Sequence, residues 1–241
     1  MGLKRFIFGS DLHGDMQDKK TVKVLCEVTK DFKPHYRIFG GDLMDLRPLR
    51  RGADQEERAE GLAQDWRAGI QFLNKWKPNK ILLGNHDKRI YDLSESNRGI
   101  ETEYAYKGVK ELEKAFRAIR ADWLPYHKKS VLKIGNLSFV HGFFHGMNAT
   151  RQHAGVYGNC IFGHIHAVDS YSAPSIERKI AMSAGCMCSL DMHYNSHMPN
   201  SLRHSHGFIM GAINDKTGDW HAWQISEVNG NWTIPTGIKT I

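Results

Sequence analysis

Acidic, amide and imidazole side chains recur along this chain in short groups, each placed just after an apolar run. In order they are Asp11-Leu12-His13, Gly41-Asp42-Leu43-Met44-Asp45, Gly84-Asn85-His86-Asp87, His141-Gly142 and Gly163-His164-Ile165-His166. Taken singly each is weak, because an Asp-x-His pair alone is more often an exposed turn than a pair of ligands. Five such groups in succession make chance a poor explanation. Mixed carboxylate and imidazole donors suit borderline divalent ions such as Mn²⁺, Fe²⁺ or Zn²⁺, whereas Mg²⁺ and Ca²⁺ sites are built almost wholly from oxygen. His164 and His166 alternate on what reads as an extended segment, so their side chains can diverge toward two metals about 3.5 to 4 Å apart.

The apolar runs ahead of these groups are the elements that must position them. Phe6-Ile7-Phe8-Gly9-Ser10, Tyr36-Arg37-Ile38-Phe39 and Lys80-Ile81-Leu82-Leu83 read as buried parallel strands. Ligands of open α/β sheets collect at such carboxyl ends, where the chain leaves the sheet. A helix capped by Asp18 and stopped by Pro34 separates the first two strands, with Val22, Leu25, Cys26, Thr29 and Phe32 on one face. A long helix is expected from Asp54, where Asp54 and Glu57 form a capping-box pair, to Pro78, burying Ala59, Leu62, Ala63, Trp66, Ile70 and Leu73. Residues 94–107 carry no assignable pattern, and Val109, Leu112, Phe116 and Ile119 then resume a helical spacing.

Two strands meeting at Gly135 follow, then a short helix over Ala149 to Tyr157 and a strand at Cys160-Ile161-Phe162. Beyond His166 the pattern changes to short strands with turns, expected to be antiparallel, including Gly207 to Asn214 and Trp220 to Ser226 around an Asn214–Gly218 turn. The fold class is α/β, and 241 residues, 41% of them hydrophobic, suit one domain over 1–241 with no linker inside it. No apolar run approaches a membrane span and the N-terminus has no signal-peptide layout, so a cytoplasmic protein with no membrane partner is expected. Cys26, Cys160, Cys186 and Cys188 read as small buried hydrophobes, since Cys186-Met187-Cys188 lacks the second pair of a thiolate zinc site. A formal net charge of +7 favours anionic partners.

With these motifs in place, the chain resembles the calcineurin-like metallophosphoesterase superfamily over residues 11 to 166. The resemblance implies a four-layer α/β sandwich of two mixed sheets flanked by helices, around two divalent metal ions, Mn²⁺ first with Fe²⁺ or Zn²⁺ as alternatives. It implies that Asp11, His13 and His166 hold one metal, that Asn85, His141 and His164 hold the other, and that Asp42 bridges them. It makes His86 the proton donor to the leaving oxygen and Asp45 the residue that holds its imidazole, although Asp45 has a competing reading as a helix cap or an ion-pair partner of Arg47. Such a metal pair lowers the pKa of a bridging water and yields hydroxide for in-line attack on phosphorus.

Asp87 reads as structural, bonding backbone N–H groups or pairing with Lys88 or Arg89. Gly84 reads as the flexible residue that lets the chain turn. Arg47, Arg50 and Arg51 stand beside the metals and are candidates for contacting substrate. His145, His153, His193, His197, His204 and His206 default to solvated or locally bonded histidines, with a substrate role for the His193–His206 loop as the alternative.

Serine/threonine protein phosphatases of the superfamily place Arg after the second Asp and Glu after the histidine, where this chain has Leu46 and Asp87. Gly-Asn-His-Asp is similar to the nuclease, nucleotidase and phosphodiesterase branches, so a phosphodiester in DNA, RNA or a nucleotide is the expected substrate. A phosphomonoesterase, and a non-catalytic scaffold of the same fold, are the competing readings.

Overall fold

Phe6 and Phe8 alternate with Ile7 along the first strand, β1 (Leu3–Gly9), and the pleat sends them to opposite faces. The computed structural model describes residues 2–174, 176–191 and 199–235, so the expectations for His193 and His197 lie outside the described residues. Ile7 packs under α1 (Lys19–Phe32) with Val22 and Leu25. Phe6 and Phe8 face the other way, meeting Phe139 edge-on at 5.2 Å and stacked at 6.0 Å. Each such ring contributes about 1.5–3 kcal/mol of transfer free energy when fully buried.

Among the described residues the strands form two mixed sheets. In the first, β1, β2 (Tyr36–Phe39), β3 (Lys80–Leu82) and β4 (Asp122–Leu124) run parallel. β10 (Gly207–Asn214) pairs antiparallel with β1 and with β11 (Trp220–Val228), and β12 (Asn231–Trp232) closes that edge. The second sheet has the order β5 (Leu132–Ile134), β6 (Leu137–Phe139), β7 (Cys160–Phe162), β9 (Ile180–Ala184), β8 (Val168–Ser172). One apolar core lies between the sheets, a second between the first sheet and its helices, and a third beneath α6 (Ala149–Tyr157), completing four layers.

The elements follow from local signals. Asp18 caps α1 by accepting from Thr21 N at 2.6 Å, and Lys33 ends it in a left-handed turn before Pro34. The expected long helix after Asp54 is instead two: α2 (Gln55–Ala59), which carries the Asp54–Glu57 capping box, and α3 (Ala63–Trp76). Glu60 takes an extended conformation ahead of Gly61, and the break re-aims the second helix. The fully buried stripe of α3 is Asp65, Gly69, Phe72, Leu73 and Trp76, while Leu62, Trp66 and Ile70 are only partly covered and Ala59 and Ala63, expected to be buried, are exposed. The unassigned stretch 94–107 is helical for much of its length, spanning the end of α4 (Asn85–Ser94) and the start of α5 (Ile100–Ala118). Its apolar residues Ile100, Tyr104 and Tyr106 are exposed, which erased the periodic signal. The last third is not wholly antiparallel, because β9 joins β7 in parallel.

Candidate metal centre

The carboxyl ends of β1, β2 and β3 in the first sheet meet those of β6 and β7 in the second, and all seven predicted ligands converge there. Asp42 is central: its Oδ2 lies 3.7 Å from His13 Nε2 and 3.4 Å from His141 Nε2. On one side Asp11 Oδ1 stands 3.4 Å from His166 Nε2, and His13 Nε2 faces His166 Nε2 at 3.1 Å. On the other, Asn85 Oδ1 lies 3.0 Å from His141 Nε2 and 2.9 Å from His164 Nδ1.

This donor set fits two cations. His141 Nδ1 donates to Gly40 O at 2.7 Å, so a neutral His141 turns the Nε2 lone pair toward the Asn85 carbonyl oxygen. His13 Nδ1 donates to Asp45 Oδ1 at 2.7 Å and likewise turns its Nε2 lone pair toward His166 Nε2. The lone pairs of His13 and His141 thus lie within hydrogen-bond range of His166 Nε2 and of the Asn85 carbonyl oxygen, an arrangement of donor atoms that two divalent cations can occupy. Burial alone would lower His141 and His166, yet the carboxylates of Asp42 and Asp11 raise both to about 9. Burial beside His141 drives His164 down to about 3.

The backbone is shaped for this convergence. Asp11, His13, Asp42, His164 and His166 all have φ between +51° and +70°. Each such non-glycine residue costs about 1–3 kcal/mol, which the surrounding structure must offset. His164 and His166 therefore diverge because Ile165 N bonds Gly163 O in a tight turn, which corrects the expected extended segment. Gly84 has an ordinary φ of −97°, so its role is close approach rather than a special turn. A Cβ there would sit 2.0 Å from Asp42 Oδ1 and 2.4 Å from Asp42 N.

Two buried carboxylates suspend the loop after β2. Asp87 accepts from Leu43 N, Met44 N and Gly84 N at 2.9, 3.2 and 2.9 Å, the structural role expected of it. Asp65 accepts from Asp45 N at 3.0 Å and Leu46 N at 2.7 Å. The sequence reading missed Asp65, although a carboxylate standing on the Gly69–Phe72–Trp76 stripe is the signal that finds it. Asp42 receives its own support from the start of α4, where His86 N donates to Oδ1 at 2.8 Å.

His86 lies beside the ligands, with Nε2 4.0 Å from Asp42 Oδ2. Its Nδ1 lies 2.9 Å from both Asp45 Oδ1 and Asp45 O. Asp45 thus receives His13 and His86 on one oxygen while Arg47 Nη1 reaches the other at 3.2 Å. Burial opposes ionisation of Asp45, but the bonds from the two imidazoles outweigh it and hold the carboxyl well below the usual range. Asp45 therefore orients His13 as well as His86.

Of the three arginines expected at the substrate, Arg47 and Arg50 are bonded to carboxylates and Arg51 is exposed. Arg47 forms a bidentate pair with Asp15 at 3.0 Å and bonds Glu60 at 2.7 Å in addition to Asp45. Arg50 pairs with the buried Glu57. Of the other histidines, His153 is buried and locally bonded, donating from Nδ1 to Ala149 O and accepting from Phe143 N. His206 is bonded to Glu227 and to Cys188 O. Cys160, Cys186 and Cys188 are buried free thiols, as expected, and Cys188 Sγ stands 3.8 Å from His166 Nδ1.

The family model for calcineurin-like phosphoesterases matches residues 4–157, and the chain belongs to that family. No curated protein sequence matches it. Among solved structures, vacuolar protein sorting 29 from Cryptosporidium parvum is similar at 14% identity, over 96% of this chain and 95% of that one, with a TM-score of 0.50. A phosphatase from Mycoplasma pneumoniae matches at 10% identity over 94% of each chain, TM-score 0.49, and the E. coli phosphoesterase YfcE at 11% over 92% and 98%, TM-score 0.39. At such identities the likeness speaks to the fold alone. The family typically binds two divalent metals, in keeping with the donor clusters present, and no helix among the described residues is long and apolar enough to cross a membrane.

Proposed function

We propose that this chain is a dinuclear metal-dependent phosphodiesterase acting on a nucleotide or nucleic acid. The observation that carries the reading is the pair of donor clusters sharing Asp42, with His86 4.0 Å from the shared carboxylate. Two divalent cations held there would lower the pKa of a water at neutral pH and offset the charge that builds on the phosphoryl oxygens.

The protein's own groups supply the rest. Asp45 accepts from His86 Nδ1–H and so orients the ring, and it is the doubly protonated imidazole whose Nε2–H can pass a proton to the leaving oxygen, leaving the neutral Nδ1–H form bonded to Asp45. Asp65 and Asp87 hold the Asp42–Leu46 loop so that neither the bridge nor Asp45 can swing away.

A diester fits better than a monoester because of what surrounds the centre. A terminal phosphate carries two negative charges and calls for a dedicated guanidinium. Here Arg47, Arg50 and Arg89 are each bonded to protein oxygen, Arg51 is exposed with no protein group among the described residues holding it at the centre, Leu46 is buried and Asp87 faces inward. Initial rates with bis-p-nitrophenyl phosphate, p-nitrophenyl phosphate and a labelled oligonucleotide, each with Mn²⁺, test the reading. The diester and the oligonucleotide should turn over faster than the monoester. Turnover of the monoester alone would make the chain a phosphomonoesterase, and turnover of none with any divalent metal would leave a binding scaffold.

A further inference from the structure

Residues 125–168 run from the end of β4, at the edge of the first sheet, through β5, β6 and β7 of the second, form one wall of the centre and contain no Asp or Glu. They carry Lys128, Lys129, Lys133 and Arg151, and among the described residues no ion pair reaches any of the four. Tyr126 leaves the end of β4 and sets its ring edge-on to the ligand His141, 5.6 Å between centroids. Phe143, two residues after His141, stacks on Tyr126 at 4.7 Å and 20°.

The pair is held in place. Tyr126 Oη donates to Gly142 O at 3.1 Å, His153 accepts from Phe143 N at 3.1 Å, and Tyr157 Oη ties Lys128 O to α6 at 3.1 Å. Both rings are partly exposed, and His127, Lys128 and Lys129 beside them are exposed.

We propose that this wall binds single-stranded nucleic acid, with the base beside the reacting phosphodiester packed on Tyr126 and Phe143 and the next phosphates lying over Lys128 and Lys129. The inference rests on the phosphodiesterase reading and names its substrate class. Aromatic faces accept any base, and unpartnered lysines past the metals serve no mononucleotide, because they need further phosphates. A duplex would keep its bases stacked inside and away from the rings, so the single strand is the form that uses both features.

Binding of a fluorescein-labelled oligo(dT) to the full chain, read by anisotropy over a salt series, tests this without turnover. In Lys128→Ala/Lys129→Ala the Kd should rise more than about tenfold at low salt, and the slope of log K against log salt should shrink by about 1.4, two phosphate contacts at about 0.7 each. Phe143→Leu keeps an apolar side chain but removes the π face, and should weaken binding by about 5- to 150-fold, the range of base–aromatic stacking. Lys110→Ala/Lys114→Ala, on the exposed face of α5, should bind as wild type does. Unchanged affinity and slope in the wall variants, or tighter binding of duplex than of single strand, would overturn the proposal. Turnover of bis-p-nitrophenyl phosphate is read separately, so loss of this inference and loss of the phosphodiesterase reading are distinct outcomes.

Discussion

The two sides of the metal centre are built from opposite charge. The first-sheet side brings Asp11, Asp42 and Asp45 inward, backs them with Asp65 and Asp87, and neutralises Arg47 and Arg50 with Asp15, Glu60 and Glu57. The second-sheet side brings only histidines, His141, His164 and His166, from a stretch without a single carboxylate. One side is therefore a rigid anionic cradle for cations. The other is a neutral-to-basic face beside them, the side from which an anion approaches at least electrostatic cost. Arg47 and Arg50, which stand out for their closeness to the site, are already paired with carboxylates that offset their charge.

The comparison can be broken at its centre. Asp42→Asn removes the one carboxylate both clusters share, and should abolish binding of both metals, measured by metal analysis of the purified protein, and cut turnover far more than the roughly 10- to 100-fold typical of a supporting residue. His86→Ala should keep its metal and lose about 10²- to 10⁴-fold in kcat, most for substrates with poor leaving groups. Metal loss in that variant would move His86 into the ligand set. Asp65→Ala leaves two buried N–H groups unsatisfied, at about 1–3 kcal/mol each if neither finds water, and should lower Tm and turnover together while Arg47→Ala, on the half-buried rim of the same loop, changes turnover by less than about tenfold.

The smallest effect sits on the other side. Burial and nearby His141 lower His153 to about 4 from an ordinary value of 6.5, so the unfolded chain binds more protons between those pH values. Stability should accordingly fall as pH drops from about 6.5 to 4, and His153→Gln should flatten that part of a Tm-against-pH curve. An unaltered curve would mean that another group sets the acid limit. The same titration would loosen Phe143, whose N–H bonds His153, and leave the cradle untouched.

Much of this architecture was legible from order and spacing. The ligand groups follow strands whose apolar runs are short and bounded by glycine, and strand ends are where a parallel sheet must release its chain. Asp11, His13, Asp42, Asn85, His141, His164 and His166 could be picked out because metal chemistry restricts the residue types that serve it. The Asp18 cap, the Asp54–Glu57 box and the 149–157 helix were equally local signals, complete within a few residues.

What tertiary structure alone decided is where distant groups meet. Asp65 lies 20 residues beyond Asp45 and bonds its backbone N–H, so no local pattern identifies the partner. Arg47 looked available until folding set Asp15 and Glu60 against it, and the first turns of α5 were hidden because their exposed apolar residues break the 3.6-residue period. The residue types of the candidate metal centre were written into the sequence. Which cations stay open to a substrate was settled only by the packing that pairs or spares them, since charge is neutralised through space rather than along the chain.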